Sequence, residues 1–531
     1  MYKKPKQRRT EIVSVPAPTK GLNDTDSLAN MDPMFAIELV NLFPGQSSLF
    51  VRAGYKQWIT GLTEPVKTLI SYNSMTGSNE LFAANDTAIY DATTQGTRDP
   101  VTDIVKAITN GKLSYTNYSN VAGQYLVAVN GTDPGLLYDG TTWIDFTTVV
   151  TPVNPGEVSG ADMADMIQVQ EFKQRLWFVE KNSMTAYFLP TDSVGGAMTP
   201  FFLGSVFPKG GFLQNIFTWS LDAGDGMDDL IVFQSNKGEI ALYAGTDPTS
   251  ASTFGLRSVY YVGSPLSDRT NVDLGGDAVM LGIFGLVPMS KVVGGQQSLT
   301  VYESSLSRNI SKTLNRIVRA RENTPNWEML NVPSFQALFI NIPELGGTPA
   351  TQYVMNTITG AWCQYDLPLL TMEVHDEAMF FTDEDGFVYI HDGEEVMDNV
   401  LLDDSGGDII ISSLKQAYNY FGAMGMNKHY QLIRPLFVAT YPPGYIAQLS
   451  VDFSPNGIFS VPSPPVNPPA TDTWDIAIWD ETLWSPEQET QFEWIGVEGL
   501  GFCASLVIKM ATNVQTEFVS VDWAYEPSNS I

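Results

Sequence analysis

Seven times between residues 80 and 393 the chain repeats one pattern: an apolar run, a turn rich in Asn, Asp or Gly, and a second apolar run. The units are ELFAANDTAIYDA (80–92), QYLVAVNGTDPGLLYDG (124–140), RLWFVEKNSMTAYFL (175–189) and DLIVFQSNKGEIALYAG (229–245). They continue as DAVMLGIFGLVPMS (277–290), FQALFINIPELGGTPATQYVMN (335–356) and AMFFTDEDGFVYIHDG (378–393). Each reads as a β-hairpin. Successive units start 44, 51, 54, 48, 58 and 43 residues apart. A period of about 45–50 residues carrying a hairpin is the mark of four-stranded blades stacked around an axis. The Trp-Asp and Gly-His signatures of WD40 repeats are missing, so this reading rests on spacing. It predicts a mainly β chain with a β-propeller of about seven blades, six to eight being compatible, over residues 65–400.

Three further segments flank the repeats. Residues 1–64 read as an N-terminal arm with one short helix in MDPMFAIELVNLFPG, where Asp32 is the N-cap, Pro33 the first helical residue and Pro44-Gly45 the stop. Residues 401–430 read as a linker. Residues 431–531 read as a small β-sandwich built from LIRPLFVATY, YIAQLSVDF and the strands of SLVIKMATNVQTEFVSVDWAYEP. Inserted in that sandwich, TWDIAIWDETLW sets Trp474, Trp479 and Trp484 five residues apart, with Asp475 and Asp480 behind the first two. A period of five keeps the rings on one side of neither a helix nor a strand. It suits a Pro-rich loop that drops one anchor into apolar surface at each short turn. The five residues are therefore read as a structural anchor or interface, and Trp479→Ala should cost about 3–5 kcal/mol if the ring is fully buried. Stacking of sugars or unpaired bases on the rings is the rival reading. No basic residue occurs between 457 and 508, which argues against nucleic acid.

Charge narrows the function classes. With 59 acidic and 29 basic residues the net charge is −30, a surface that repels a phosphate backbone. Two basic stretches stand against this background. MYKKPKQRR carries Lys3, Lys4, Arg8 and Arg9, and reads either as a solvated tail or as an arm docking on an acidic partner or nucleic acid. SLSRNISKTLNRIVRA (305–320) places Leu306, Ile310, Leu314 and Ile317 on one helical stripe, with Arg308, Lys312, Arg316 and Arg319 on the other. That helix either packs on a blade or presents its basic face to a partner. The start of the chain is no signal peptide and no apolar run is long enough to span a membrane. Cys363 and Cys503, 140 residues apart, offer neither a disulfide framework nor a zinc spacing, which suits assembly in a reducing cytoplasm. Catalytic motifs are missing around His375, His391 and His429. The acidic clusters Asp222, Asp225, Asp228, Asp229 and Asp383, Glu384, Asp385 fall where hairpin turns are expected. No catalysis, metal or cofactor is expected. A propeller-based glycan-binding or glycan-degrading protein is the alternative, and degradation would need two carboxylates facing each other across the central pocket.

PTKGLNDTDSLANMDPMFAIELVNLFP (18–44), VRAGYKQW (51–58), TWDIAIWDETLW and WIGVEGLGFCASLVIKMA (494–511) together resemble the tail nozzle proteins of short-tailed bacteriophages, also called tail tubular protein B or tail hub proteins. The resemblance covers both ends, and the middle is matched by periodicity only. It implies a structural virion protein that forms a homo-hexameric ring below the head-to-tail adaptor, next to a tail fibre or tailspike protein. Double-stranded DNA would be retained by the ring and pass through its lumen during ejection, without sequence-specific binding and with no small-molecule substrate. Under that resemblance the acidic excess lines the channel, and Lys3, Lys4, Arg8, Arg9, Arg308, Lys312, Arg316 and Arg319 lie at protein contacts.

Overall fold

A computed structural model describes residues 10–75, 77, 79–222, 227–294, 305–454, 460–463 and 488–527. Every hairpin read from the sequence forms the second and third strands of its own antiparallel blade. The first strands of the seven blades are Thr68–Tyr72, Ser114–Asn120, Met166–Phe172, Leu213–Asp222, Asn271–Leu274, Glu328–Val332 and Met372–His375. Middle strands such as Ala337–Ile342 are buried on both faces, which is why they read as unbroken apolar runs. First strands such as Ser114–Asn120 (SYTNYSN) face the hub and stay polar.

Hydrogen bonds link each first strand to the next. Asn117 donates to the Ser71 carbonyl, Val169 N–H to Ser114 Oγ, and Ile216 N–H to Gln168 Oε1. Asn271 donates to Gln234 Oε1, Met329 N–H to the Arg269 carbonyl, and Met372 N–H to Glu328. Ser71 and His375, 2.9 Å apart, close the circle between blades seven and one. The architecture is a seven-bladed β-propeller. An apolar cluster fills each gap between blades, for example Ile70, Phe82, Leu126 and Tyr138 between the first two.

The ring is closed by an exchange of strands. Blade seven supplies three strands of its own, and Lys56–Thr60 pairs antiparallel with Val388–His391 to make the fourth. Blade five has three strands followed by a short helix, Met289–Val293. The basic helix predicted at 305–320 is present as a 3-10 turn, Arg308–Ile310, running into Ser311–Arg321.

Both ends of the chain build a second module of two packed sheets. In one, the order is Leu42–Pro44, Leu49–Val51, Thr516–Pro527, Lys428–Ala439, Glu489–Phe492, with Glu11–Pro16 along Thr516–Pro527 and Ile495–Gly501 along Lys428–Ala439. In the other, Ala36–Val40, Ile410–Gln416, Ala504–Thr512 and Gly444–Val451 lie side by side. That second sheet continues into blade six, because Val40 pairs with Gln364 of its outer strand. Tyr430, Phe437, Phe518 and Trp523 from the first sheet share one core with Leu414, Ile508 and Met510 from the second.

Three sequence expectations are corrected here. Residues 32–44 form no helix: Asp32 caps a single turn, accepting from Met34 N–H and, through its carbonyl, from Phe35 N–H. Beyond it AIELV extends, because it is claimed on both sides by Ile410–Gln416 and Trp362–Tyr365. Residues 10–64 are no arm but supply four strands of the second module and one of the propeller. The linker 401–430 contains the central strand Ile410–Gln416, so the sandwich is not confined to 431–531.

Two local devices fix the join. Gly21 has φ +75°, and a Cβ there would lie 2.5 Å from the Trp362 carbonyl oxygen, so only glycine lets this segment cross blade six. Arg52, with a side chain 1% exposed, bonds both oxygens of Asp398 at 2.6 Å, Asp366 at 3.2 Å and Asn41 Oδ1 at 2.9 Å. It ties the N-terminal strands to the ends of blades six and seven. Beside it, His391 donates from Nδ1 to the Gly54 carbonyl at 2.7 Å. Burial drives its pKa from 6.5 down to about 4, keeping the ring neutral.

Candidate functional site

Trp474, Asp475, Trp479, Asp480 and Trp484 lie outside the described residues, as do Lys3, Lys4, Arg8 and Arg9. The helix residues are described. Leu314 and Val318 are buried against the core, while Arg308, Lys312, Arg316 and Arg319 are all exposed. None of the four makes an ion pair among the described residues. The helix is held from far away in sequence. Asp24 accepts from Lys312 N–H and Thr313 N–H, satisfying two of the amides that a helix start leaves unpaired. Thr25 Oγ1 donates to the Arg308 carbonyl. Both packing on a blade and an outward basic stripe are therefore realised in one helix.

The first strands converge on an axial well of about 220 Å³. Arg269, just ahead of blade five, reaches across it. Its guanidinium donates to Thr68 Oγ1 and the Lys67 carbonyl of blade one, and to the Leu113 carbonyl at blade two. It also donates to Glu328 of blade six and to Thr371 Oγ1 at blade seven. One side chain thus spans the hub.

Charges in the well are arranged in pairs with one left over. Lys112 and Asp268 meet at 2.6 Å; burial alone would raise Asp268, but Lys112 and Arg269 outweigh it and hold the carboxyl at about 2. Glu328 has both oxygens occupied by Arg269, Thr371 Oγ1 and Met372 N–H; burial still raises its pKa despite these partners. Glu373 has no cation at ion-pair distance among the described residues. It accepts from Val374 N–H at 3.0 Å and from the Tyr115 hydroxyl, and keeps part of its surface open to the well. Burial pushes it up to about 7. Sequence reasoning missed Arg269, Glu328 and Glu373 because each lies at the start of a polar first strand, between hairpins, with no motif around it. The acidic turns behave as read. Asp383 accepts from Asp385 and Phe387 N–H within its hairpin, and no group of three or more metal-ligating side chains occurs among the described residues.

A third feature lies on the second module. Register puts Ile12 and Leu432 on either side of Ala524, Leu436 opposite Phe492, and Leu500 opposite His429, all on the face turned away from the core. Ile12 is 65% exposed, Phe492 59% and Leu500 63%. Arg434 lies over the rings of Phe492 and Trp494 at 5.3 and 4.9 Å. Strand Ile495–Gly501 pairs on one edge only, so this aromatic band borders an open sheet edge.

No family model and no curated protein matches the sequence. Solved structures with likeness include YCF48 from Cyanidioschyzon merolae, at 9% identity and TM-score 0.28 over 64% of this chain and 98% of that one. The Cps50 (Swd1) β-propeller domain from Myceliophteria thermophila gives 10% identity and TM-score 0.37 over 62% and 98%. A glycoside hydrolase family 43 arabinoxylan arabinofuranohydrolase from Bacillus subtilis gives 8% and 0.25 over 87% and 96%. Likeness this distant says nothing about what the chain does; strand order and the closed circle of hydrogen bonds establish the seven-bladed propeller.

Proposed function

We propose that the chain is a structural virion protein, a subunit of the tail nozzle of a short-tailed bacteriophage. Copies form a homo-hexameric ring below the head-to-tail adaptor, carry a tail fibre or tailspike protein nearby, retain packaged DNA and conduct it during ejection. The protein sits in the virion tail after assembly in the host cytoplasm, and works without catalysis or cofactor. The observation that carries this reading is the exposed aromatic band on the module woven from the two chain ends, the ends that bear the nozzle resemblance. Contiguous apolar surface beside an open sheet edge is what a subunit contact requires and a monomer avoids. Two further features support it. A hub bridged by one arginine is too narrow for a duplex, so a channel has to run between copies. The net charge of −30 gives a wall on which DNA slides.

The test is particle sizing of the purified full chain over a range of concentrations, followed by electron microscopy. Rings that are lost in Phe492→Asp/Leu500→Asp, with the fold retained, are expected. A monomer at every concentration, or a ring with a strongly basic lumen, overturns the reading.

The axial well gives the alternative, a glycan-binding or glycan-degrading protein, its one specific observation: two carboxylates, Glu328 and Glu373, stand in one pocket. Glu328, however, is fully committed to its donors, whereas hydrolysis needs two carboxyl groups free to act on the sugar. A glycan array and a sugar soak separate the readings.

A further inference from the structure

The leftover carboxylate in the hub calls for a partner. Buried charges are found paired, because an unpaired one loses its hydration without compensation. Around Glu373 the cations are already taken: Lys112 by Asp268, and Arg269 by Glu328 and three blades' worth of oxygens. Arg269 reaches Glu373 only as a weak, distant field. The open part of the Glu373 surface faces a cavity of about 220 Å³, room for a short chain of several atoms. The cavity walls are not uniformly polar. Leu69, Leu113, Leu330 and Met372 line it together with Tyr115, so apolar surface surrounds a single unneutralised anion.

We propose that the axial well is a binding site for a primary alkylammonium group, with the ammonium on Glu373 and the methylene stem along Leu69, Leu113 and Leu330. An ammonium supplies three donors and one positive charge; Glu373 offers free acceptor positions and one negative charge. A phosphate or carboxylate ligand is disfavoured by the same carboxylate. A neutral sugar would leave the charge unpaired. The ammonium comes either from a small free amine or from a lysine side chain of a partner protein, and the chemistry recognised is the same. The site is separate from the aromatic band and does not depend on the nozzle reading.

The groups facing Glu373 define its pH response. They are Tyr115 from blade two, Arg269 from blade five, Glu328 from blade six, and the Lys112–Asp268 pair at the rim. Of these, only Glu373 changes charge near neutrality, with its pKa of about 7. Amine binding should therefore be strongest above pH 7 and fade as the pH falls through that value.

The experiment uses the full chain carrying ¹³C-methyl methionine, because Met329 and Met372 line the well and report on it. The probes are n-butylamine, Nα-acetyl-lysine methylamide, and n-butanol as the uncharged match, each titrated into the millimolar range that so small a ligand can reach. Shifts at Met329 and Met372 with butylamine and not with butanol are expected, fading below pH 7. Glu373→Gln should weaken the amine at least about tenfold, the share of one charge-assisted hydrogen-bonded pair. If the lysine amide also binds, a partner's side chain fits the well; if only butylamine binds, the ligand is a free amine. Equal shifts with butanol, no shift with either amine, or amine binding that survives Glu373→Gln overturns the proposal. Should that variant not fold, the pH titration of the unaltered chain decides alone: binding that does not fade below pH 7 overturns it.

Discussion

The join between the two modules and the hub of the propeller each bury an arginine among carboxylates, and they solve the charge problem differently. At the join, Arg52 meets Asp398 and Asp366, with His391 kept neutral beside it. In the hub, Arg269 satisfies Glu328 while Glu373 stays unneutralised. The lesson is that a buried arginine alone does not identify a site. What distinguishes the hub is the carboxylate its arginine does not reach, opening on a cavity.

Removing the arginine at the join should have the largest effect. Arg52→Met leaves Asp398 buried without its cation and should cost about 3–5 kcal/mol in urea unfolding. If that loss is below about 1 kcal/mol, the join is not held by charge and the contrast with the hub fails.

Next in size comes pH, where the two regions should respond with opposite signs. His391 has a folded pKa of about 4 against an ordinary 6.5, so its contribution is full above 6.5 and is lost as pH falls toward 4. The loss amounts to at most about 3 kcal/mol. Glu373 has a folded pKa of about 7 against an ordinary 4.5, so its contribution is present below 4.5 and is lost as pH rises to 7. Water in the well reduces that loss below the roughly 3 kcal/mol of a fully dry group. Between pH 4.5 and 6.5 the slopes oppose. Denaturation series should therefore be steeper toward acid in Glu373→Gln than in the parent, and flatter in His391→Asn. Parallel curves for all three proteins would break the comparison.

Gly21→Ala should cost about 1–3 kcal/mol, since the left-handed backbone and the Trp362 carbonyl both reject a side chain. Thermal unfolding checks it, and Gly360→Ala, with open space around it, is the control for φ alone. The smallest effect on stability belongs to the basic stripe. Lys312→Glu/Arg316→Glu should change folding by less than about 0.5 kcal/mol, because both side chains are exposed. The same variant should reduce assembly in the sizing experiment. Unchanged assembly would take the helix off the list of protein contacts.

How much of this was legible follows from which faces are buried. The seven hairpins stood out because their strands are covered on both sides, as in Ala337–Ile342 and Glu239–Gly245. The basic helix stood out because Leu314 and Val318 face the core while Lys312 and Arg316 face water. First strands such as SYTNYSN carry the hub and are polar, so neither they nor Glu373 announced themselves. The false helix at 32–44 came from a real cap: Asp32 does bond Met34 N–H, yet pairing partners more than 300 residues away decide the conformation after one turn. The linker misreading has the same origin, since Ile410–Gln416 is a strand only because neighbours from both chain ends flank it. Long-range pairing leaves little local trace.

The borrowed strands also set a clock. During synthesis, Lys56–Thr60 emerges long before Val388–His391, and 388 − 60 is 328 residues. Glu11–Pro16 waits for Val521 over 521 − 16, or 505 residues. At about 5–20 residues per second, these strands stay unpaired for roughly 16–65 s and 25–100 s respectively. Neither the propeller nor the second module can close while the chain is still short. For that whole interval the ribosome holds a chain of finished hairpins with open edges, so the yield of native protein should depend on how well those edges are shielded from one another until the last strand is released.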